Sequence, residues 1–420
     1  MASTLAPTSL AFSLLHAARV MASVLQGQSL AEGMIAKVDS QARPAVQDLV
    51  YSTLRAYGRG DYLLSRLLTK PLAVLEIHTL LLAALYRLET RPESVHTVVD
   101  QAVVAAGEIE GGRLKALVNG VLRNFLRQQA ALTQEVATVD VAHYQHPAWW
   151  LERLQRAWPK DWQQIAAAGN QPPPMALRVN LRKTSLATYL AKLEKAGIEA
   201  RGEGETAVLL AAPLAVERLP GFADGLVSVQ DPEAQRAAAL LNPPAGSRVL
   251  DACAAPGGKT AHLLEQADLN LLALDLKPSR CRRIEENLLR LGLTAEIKVA
   301  DCIKRDTWWD NLPFDAILSD VPCTASGVVR RNPDAKWLRR EEDIASFAAT
   351  QARILDSLWI VLRPGGQFLY ATCSVFPAEN SQQIARFLKR QPTAKLCHQE
   401  QILPDATHDG FFYALLEKRA

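Results

Sequence analysis

Over roughly the first 140 residues apolar positions recur at helical spacing. Leu14, Ala18, Met21 and Leu25 share one face, and Val46, Leu49, Val50, Thr53, Leu54 and Tyr57 share another. Leu72 to Leu88 is interrupted only by Glu76 and His78 and reads as a buried helix. Two more helices are expected at Ser94 to Ala106 and Arg113 to Gln128, with turns at Arg59-Gly60 and Gly111-Gly112. The pattern predicts an all-α bundle over residues 1–140.

From His146 to Trp162 the spacing predicts one amphipathic helix carrying Trp149, Trp150, Trp158 and Trp162, packed against a neighbouring domain. Pro172-Pro173-Pro174 then breaks the chain. A strand at Met175 to Asn180, a helix at Ser185 to Ala196 and a strand at Ala207 to Leu210 follow. Residues 141–225 therefore read as a linker helix plus a small α+β, RRM-like module.

After Leu226 short apolar runs alternate with amphipathic stretches, which predicts a mostly parallel sheet. Strands fall at Arg248 to Ala252, Asn270 to Asp275, Glu296 to Ala300, Ala316 to Ser319 and Gly366 to Ala371. Helices are expected at Pro278 to Leu291 and at Ala345 to Leu362, the latter closed by Arg363-Pro364-Gly365-Gly366. Ala394 to His398 and Gly410 to Glu417 would add antiparallel strands at the edge. Residues 226–420 are thus a Rossmann-like α/β domain, and the whole chain is multidomain.

Composition narrows the function classes. A length of 420 residues exceeds one typical core. With 49% hydrophobic and 22% charged residues the chain is not largely disordered. Its net charge of +3 is compatible with RNA without demanding it. Six cysteines without a CxxC pair argue for free thiols in a reducing compartment rather than a disulfide scaffold. No run of 18 apolar residues occurs, and no positive charge precedes Arg19, so neither a membrane span nor a targeting signal is expected. The expectation is a soluble cytoplasmic protein, monomeric by default.

Asp251-Ala252-Cys253-Ala254-Ala255-Pro256-Gly257-Gly258-Lys259-Thr260 is a strand-to-helix turn. A phosphate-binding P-loop would need glycine where Cys253 stands, and GxGxxG spacing is missing, so neither an NTPase nor a dinucleotide fingerprint fits. What remains is a glycine turn that lets backbone approach a ligand at a helix N-terminus. Asp275 closes the next strand, where a carboxylate can hold ribose hydroxyls. Asp301, after the third strand, can accept from an adenine amino group. Acids at strand ends are also common helix caps, so the weight lies in three of them in succession.

Cys323 in Asp320-Val321-Pro322-Cys323 and Cys373 in Ala371-Thr372-Cys373-Ser374 each sit where an expected strand runs out. In open α/β sheets such ends share one crevice. Cytosine carbon 5 is a poor nucleophile until a thiolate adds at carbon 6; the enamine so formed can attack a sulfonium methyl. That chemistry wants an activated cysteine, and a carboxylate such as Asp320 to grip the base edge. The alternative is two small buried residues. Two isolated cysteines give no tetrahedral set, so no metal is expected.

Ala254 to Thr260, Asp-Val-Pro-Cys-Thr-Ala-Ser-Gly at 320–327, Arg330-Arg331-Asn332-Pro333-Asp334 and Ala371-Thr372-Cys373-Ser374-Val375, continuing through Pro377, Glu379 and Asn380, resemble the RNA 5-methylcytosine methyltransferases of the Sun/Fmu/NOL (RsmB/NOP) family. Leu117-Val118-Asn119-Gly120-Val121-Leu122 is similar to the RNA-binding NusB domain. The resemblance implies S-adenosyl-L-methionine as cofactor and 16S ribosomal RNA, free or in a partly assembled small subunit, as substrate. It makes Cys373 the nucleophile, Cys323 the thiol that assists product release, and Asp320 a catalytic partner. Cys253, Ala254, Ala255, Pro256, Gly257, Gly258, Lys259, Asp275, Asp301 and Asp320 would line the donor site. Val321 departs from the alanine frequent in relatives, a small apolar change. Another RNA such as tRNA, or a non-enzymatic NusB-like antitermination factor, are the competing readings.

Arg330, Arg331, Lys336, Arg339 and Arg340 crowd one segment after Cys323, diluted by Asp334, Glu341, Glu342 and Asp343. Together with Arg178, Arg182, Lys183, Arg123 and Arg127 they are expected to track phosphates.

Overall fold

Ser9 opens the first helix: its backbone is extended and its hydroxyl accepts from the Phe12 amide at 3.1 Å, so Leu10–Leu25 starts there. The structure, a computed structural model, describes residues 5–419. Helices Arg43–Arg55, Tyr57–Leu67, Leu75–Thr90, Val95–Ala106 and Lys115–Val136 follow. Leu80 to Leu85 are all buried, as expected of a central helix, and Leu75–Thr90 packs against each of the other five.

Two expectations change here. Arg59-Gly60 is not a turn but lies within Tyr57–Leu67. A Cβ on Gly58 would meet the Val141 carbonyl oxygen at 2.5 Å, and one on Gly60 would meet Leu82 Cδ2 at 2.9 Å. These glycines serve close packing. Nor is 146–162 one helix. Ala148–Ala157 ends at Trp158, which the following Pro159 forces out of helical geometry, and Trp162–Asn170 begins afresh. Gly111 and Gly112 do turn the chain, both at positive φ.

The chain divides into two compact units: up to Pro172 together with Val329–Glu341, and Pro173–Val328 together with Glu342 onward. The segment 329–341 is fastened inside the helical unit. Asp334 Oδ2 accepts from Ser29 Oγ and from the Leu30 amide, both at 2.9 Å. Lys336 Nζ donates to the carbonyls of Arg55 and Gln145 and to Asn170 Oδ1. Arg330 and Lys336 are therefore 1% and 0% exposed, not the phosphate-facing cations expected. Burial, with Arg55 nearby, pushes Lys336 well below the usual lysine value. Of the same run Arg340 is exposed, while Arg331 and Arg339 are half-buried.

The second unit begins with strands β1 (Ala176–Val179), β2 (Ala200–Glu203), β3 (Ala207–Leu210) and β4 (Val227–Val229), an antiparallel sheet in the order β2-β3-β1-β4. Helix Leu186–Lys195, capped by Ser185, packs on it through Tyr189 and Leu193. The pattern missed β2, whose Arg-Gly centre is exposed, and β4, only three residues long.

A seven-stranded sheet follows: β5 (Arg248–Ala252), β6 (Asn270–Asp275), β7 (Glu296–Val299), β8 (Phe314–Asp320), β9 (Leu362–Thr372), β10 (Ala394–Ile402) and β11 (Phe411–Lys418). Its order is β10-β11-β9-β8-β5-β6-β7, with β5 to β9 parallel and β11 antiparallel to both of its neighbours, β9 and β10. Alternate residues feed two cores. Leu250, Leu272, Ile317 and Phe368 pack with Ile354 and Leu358 of helix Glu341–Val361. Val249, Ala273, Leu318 and Leu369 pack with Ala237, Leu263 and Ile284 on the other face. The helix expected to run to Leu362 ends at Val361, and Arg363-Pro364-Gly365-Gly366 just after it forms an irregular stretch in the first part of β9, where pairing slips between Phe314 and Ala316. Strand order reverses at β5, so a crevice opens beyond the carboxyl ends of β5 and β8. Among the described residues no helix is long and apolar enough to cross a membrane.

Candidate active site

The turn after β5 is held by backbone. Cys253 adopts φ +66°, the Ala254 amide donates to the Leu274 carbonyl, and the Ala255 amide donates to Asp275 Oδ2 at 3.2 Å. Gly257, at φ +94°, caps helix Gly258–Gln266; a Cβ there would stand 3.1 Å from Ile284 Cγ2. Beneath the turn, Thr260 Oγ1 donates to Asp251 Oδ2 at 2.5 Å. Burial lifts the Asp251 carboxyl to about 7, against the pull of Thr260 and Lys259.

Arg178 of β1 enters from the small module. It is fully buried, binds Glu265 through two 2.8 Å hydrogen bonds and donates to the Gly258 carbonyl at 2.8 Å. It also contacts Gln230. Arg178 is thus a brace for the turn and not part of a surface track. Only its place beside two exposed basic neighbours, Arg182 and Lys183, suggested otherwise.

A cleft of ≈ 510 Å³ opens at the strand ends, a volume suited to a nucleoside-sized ligand. Cys253, Ala255, Asp275, Asp301, Asp320, Cys323 and Cys373 all line it. Ala254, Pro256, Gly257, Gly258 and Lys259 are not on its wall. Ala254 is buried against β6, the Pro256 carbonyl accepts from Asn287, and the glycines shape the turn. Lys259 Nζ instead reaches Asp320 Oδ2 at 2.5 Å. Burial disfavours the Lys259 charge, but Asp320, with Cys373 adding to it, outweighs this and raises the amine above its ordinary value.

Asp275 accepts from the amides of Ala255 and Lys277, both at 3.2 Å, and Arg280 Nη1 lies 3.4 Å from it. Asp301 Oδ1 accepts from the Ile303 amide at 3.0 Å. Leu276, Ile303, Ile354 and Pro322 supply apolar wall between these acids. Sequence reasoning missed Arg353, Thr350 and Cys302 on the same cleft; the first two stand on the helix expected at Ala345 to Leu362, to which the pattern gave no site role.

β8 and β9 are parallel neighbours, with Asp320 opposite Ala371, so the segments leaving them run side by side. Cys323 and Cys373 meet there with their sulfurs 3.4 Å apart. The shared thiol hydrogen bond and burial push Cys323 well above the usual thiol value. Cys373 is the more exposed of the two. Both sulfurs and Asp320 thus share the wall of one cleft.

Comparison with known proteins settles the kinship. Residues 238–417 match the profile described as 16S rRNA methyltransferase RsmB/F. The RsmF/B-like ferredoxin-like domain matches 146–217, and the NusB family matches 9–127. The ribosomal RNA small subunit methyltransferase B of Klebsiella pneumoniae is 45% identical, over 94% of this chain and 95% of its own. That of Vibrio cholerae is 43% identical, over 94% of each. This chain belongs to the RsmB/F family of 16S rRNA methyltransferases. A solved methyltransferase homologue from Pyrococcus horikoshii, 28% identical, superposes with a TM-score of 0.59, covering 66% of this chain and 97% of its own.

The residues present fit the S-adenosyl-L-methionine of such an enzyme. Asp275 stands at the end of β6 where a ribose diol can be gripped, and Leu276, Ile303 and Ile354 offer apolar surface for an adenine. Among the described residues no cluster of three or more His, Cys, Asp or Glu is arranged to hold a metal ion.

Proposed function

We propose that this protein methylates carbon 5 of a cytosine in 16S ribosomal RNA through a covalent cysteine–cytosine intermediate. The observation that carries the reading is the pair of sulfurs 3.4 Å apart, in one cleft with Asp320 and the donor acids.

Cys373 attacks carbon 6 of the ring, forming a C–S bond and an enamine. Asp320 accepts from the exocyclic amine and, with Lys259 beside it, holds the edge of the ring. Bound S-adenosyl-L-methionine supplies an electrophilic methyl, which passes to carbon 5. Loss of the carbon-5 proton and cleavage of the C–S bond restore the aromatic ring and the thiolate, with Cys323 assisting release. The greater exposure of Cys373 supports this division.

Asp275 and Asp301 hold the donor, with Cys253 and Ala255 on the same wall. Residues 1–140 act as an RNA-binding bundle, 141–225 as the accessory module and 226–420 as the catalytic domain. The target cytosine leaves its stack to reach the sulfur, so RNA that is unpaired at that site is the better substrate.

Incubation with 16S rRNA transcript, tRNA and labelled donor, followed by mapping of 5-methylcytosine, tests the reading. Label at one cytosine of 16S rRNA is expected. Label in tRNA alone, or none on either RNA or on small-subunit particles, overturns it.

A further inference from the structure

Neither sulfur is positioned by its own strand alone. Cys323 follows β8 by three residues and Cys373 follows β9 by one, so each sits on irregular backbone, where a shift of an ångström comes easily. Something must hold the two segments in register.

Glu379 joins them. It is fully buried, and each of its oxygens accepts from two donors. Oε1 takes the Thr324 amide at 2.9 Å and Gln351 Nε2 at 3.1 Å. Oε2 takes Thr324 Oγ1 at 2.6 Å and Ser374 Oγ at 2.5 Å. Thr324 and Ser374 are the residues directly after the two cysteines. From β9, the Tyr370 hydroxyl donates to the Glu379 carbonyl at 2.7 Å and fixes the backbone of the acid itself. Gln351 also donates to the Pro322 carbonyl at 3.0 Å, so the helix carrying it steadies the Cys323 segment from a third side.

We propose that Glu379 is a positioning residue whose side chain clamps the Cys323 and Cys373 segments together so that both sulfurs reach one base. The carboxylate does no chemistry on the substrate; it does not line the cleft. Its work is geometric, and a misplacement of about 1 Å at a reacting centre can cost about 100-fold in rate. The shape of the carboxylate matters more than its charge. In Glu379→Gln one oxygen still serves the Thr324 amide and Gln351, while the new amide can donate to the Thr324 and Ser374 hydroxyls, which rotate to accept. Glu379→Asp withdraws the head group by one methylene and cannot reach all four partners.

The proposal rests on the two-thiol reading of the site, yet its test does not require methyl transfer. Diamide oxidises two adjacent thiols to a disulfide: both protons and two electrons pass to the reagent, which becomes a hydrazine. The rate of Cys323–Cys373 disulfide formation therefore reports how often the sulfurs meet. Glu379→Asp and Glu379→Ala are expected to form it about tenfold more slowly and to lose about 100-fold in kcat. KM for RNA and donor affinity are expected to stay near wild type, and Glu379→Gln to restore both rates. Should Glu379→Ala fail to fold, the Asp and Gln variants carry the comparison. Wild-type disulfide and turnover rates in Glu379→Asp would overturn the clamp, as would a Gln variant no better than the Asp one. Disulfide rates that follow the expected order, with no methylation by any form including wild type, would instead count against the proposed function alone.

Discussion

Lys259 Nζ and Asp320 Oδ2 lie 2.5 Å apart, a largely buried ion pair joining the turn after β5 to the end of β8. The pair ties the helix that opens at Gly258 to the strand that leads into Pro322-Cys323.

Asp320→Asn should keep the shape and remove the charge. Methyl transfer is expected to slow by about 100-fold, the scale of a lost acid–base partner. Donor affinity is expected to change far less. Single-turnover rates beside calorimetric donor titration check this; equal losses in both would make the pair a donor contact instead.

Asp275→Ala removes the acceptor at the end of β6, to which the Ala255 amide also donates. Donor affinity should fall by about tenfold or more while RNA affinity stays put, since a lost hydrogen bond to a charged group is worth about 1.5–3 kcal/mol. Calorimetry with the donor and filter binding with RNA separate the two.

Arg178 and Glu265 form a fully buried pair. Arg178→Met strands the Glu265 carboxylate and frees the Gly258 carbonyl, at a cost of about 3–5 kcal/mol. Arg178→Met with Glu265→Met should recover most of that in a chemical unfolding titration. Donor affinity should stay reduced in the double variant, because the brace on the turn is still gone.

Asp251 carries a pH signature. Its folded value is about 7, against 3.8 for a free carboxyl, and burial is the main cause. A raised acid binds its proton more tightly when folded, so its contribution to stability is complete below 3.8. It is lost as pH climbs through 7, by a few kcal/mol at most, on the order set by linkage. Comparing melting temperatures of wild type and Asp251→Asn from pH 5 to 9, the variant should gain relative to wild type as pH rises. A constant gap would mean that the carboxyl titrates alike in both states.

Much of this architecture was legible in the sequence because periodicity and chemistry agreed. Apolar spacing marked the bundle, alternation marked β5 to β9, and strand-end acids and thiols fell in one cleft as parallel pairing requires. What stayed hidden depended on distant partners. Nothing local distinguishes a buried Arg178 or Lys336 from a solvated cation; the carbonyls and the carboxylate that satisfy them come from elsewhere in the chain. Gly60 read as a turn because only Leu82, 22 residues on, makes it a packing glycine (82 − 60). Glu379 was visible as part of a motif, but its four donors became apparent only once β8 and β9 lay side by side.

The division of labour between the sulfurs is tested most directly by a denaturing gel of Cys323→Ala and Cys373→Ala after incubation with 16S rRNA and donor. A slow-migrating protein–RNA adduct in Cys323→Ala, with the RNA joined through Cys373, is expected, and none in Cys373→Ala. The reverse pattern would exchange the two roles, and full methylation by a protein lacking both sulfurs would contradict covalent catalysis altogether.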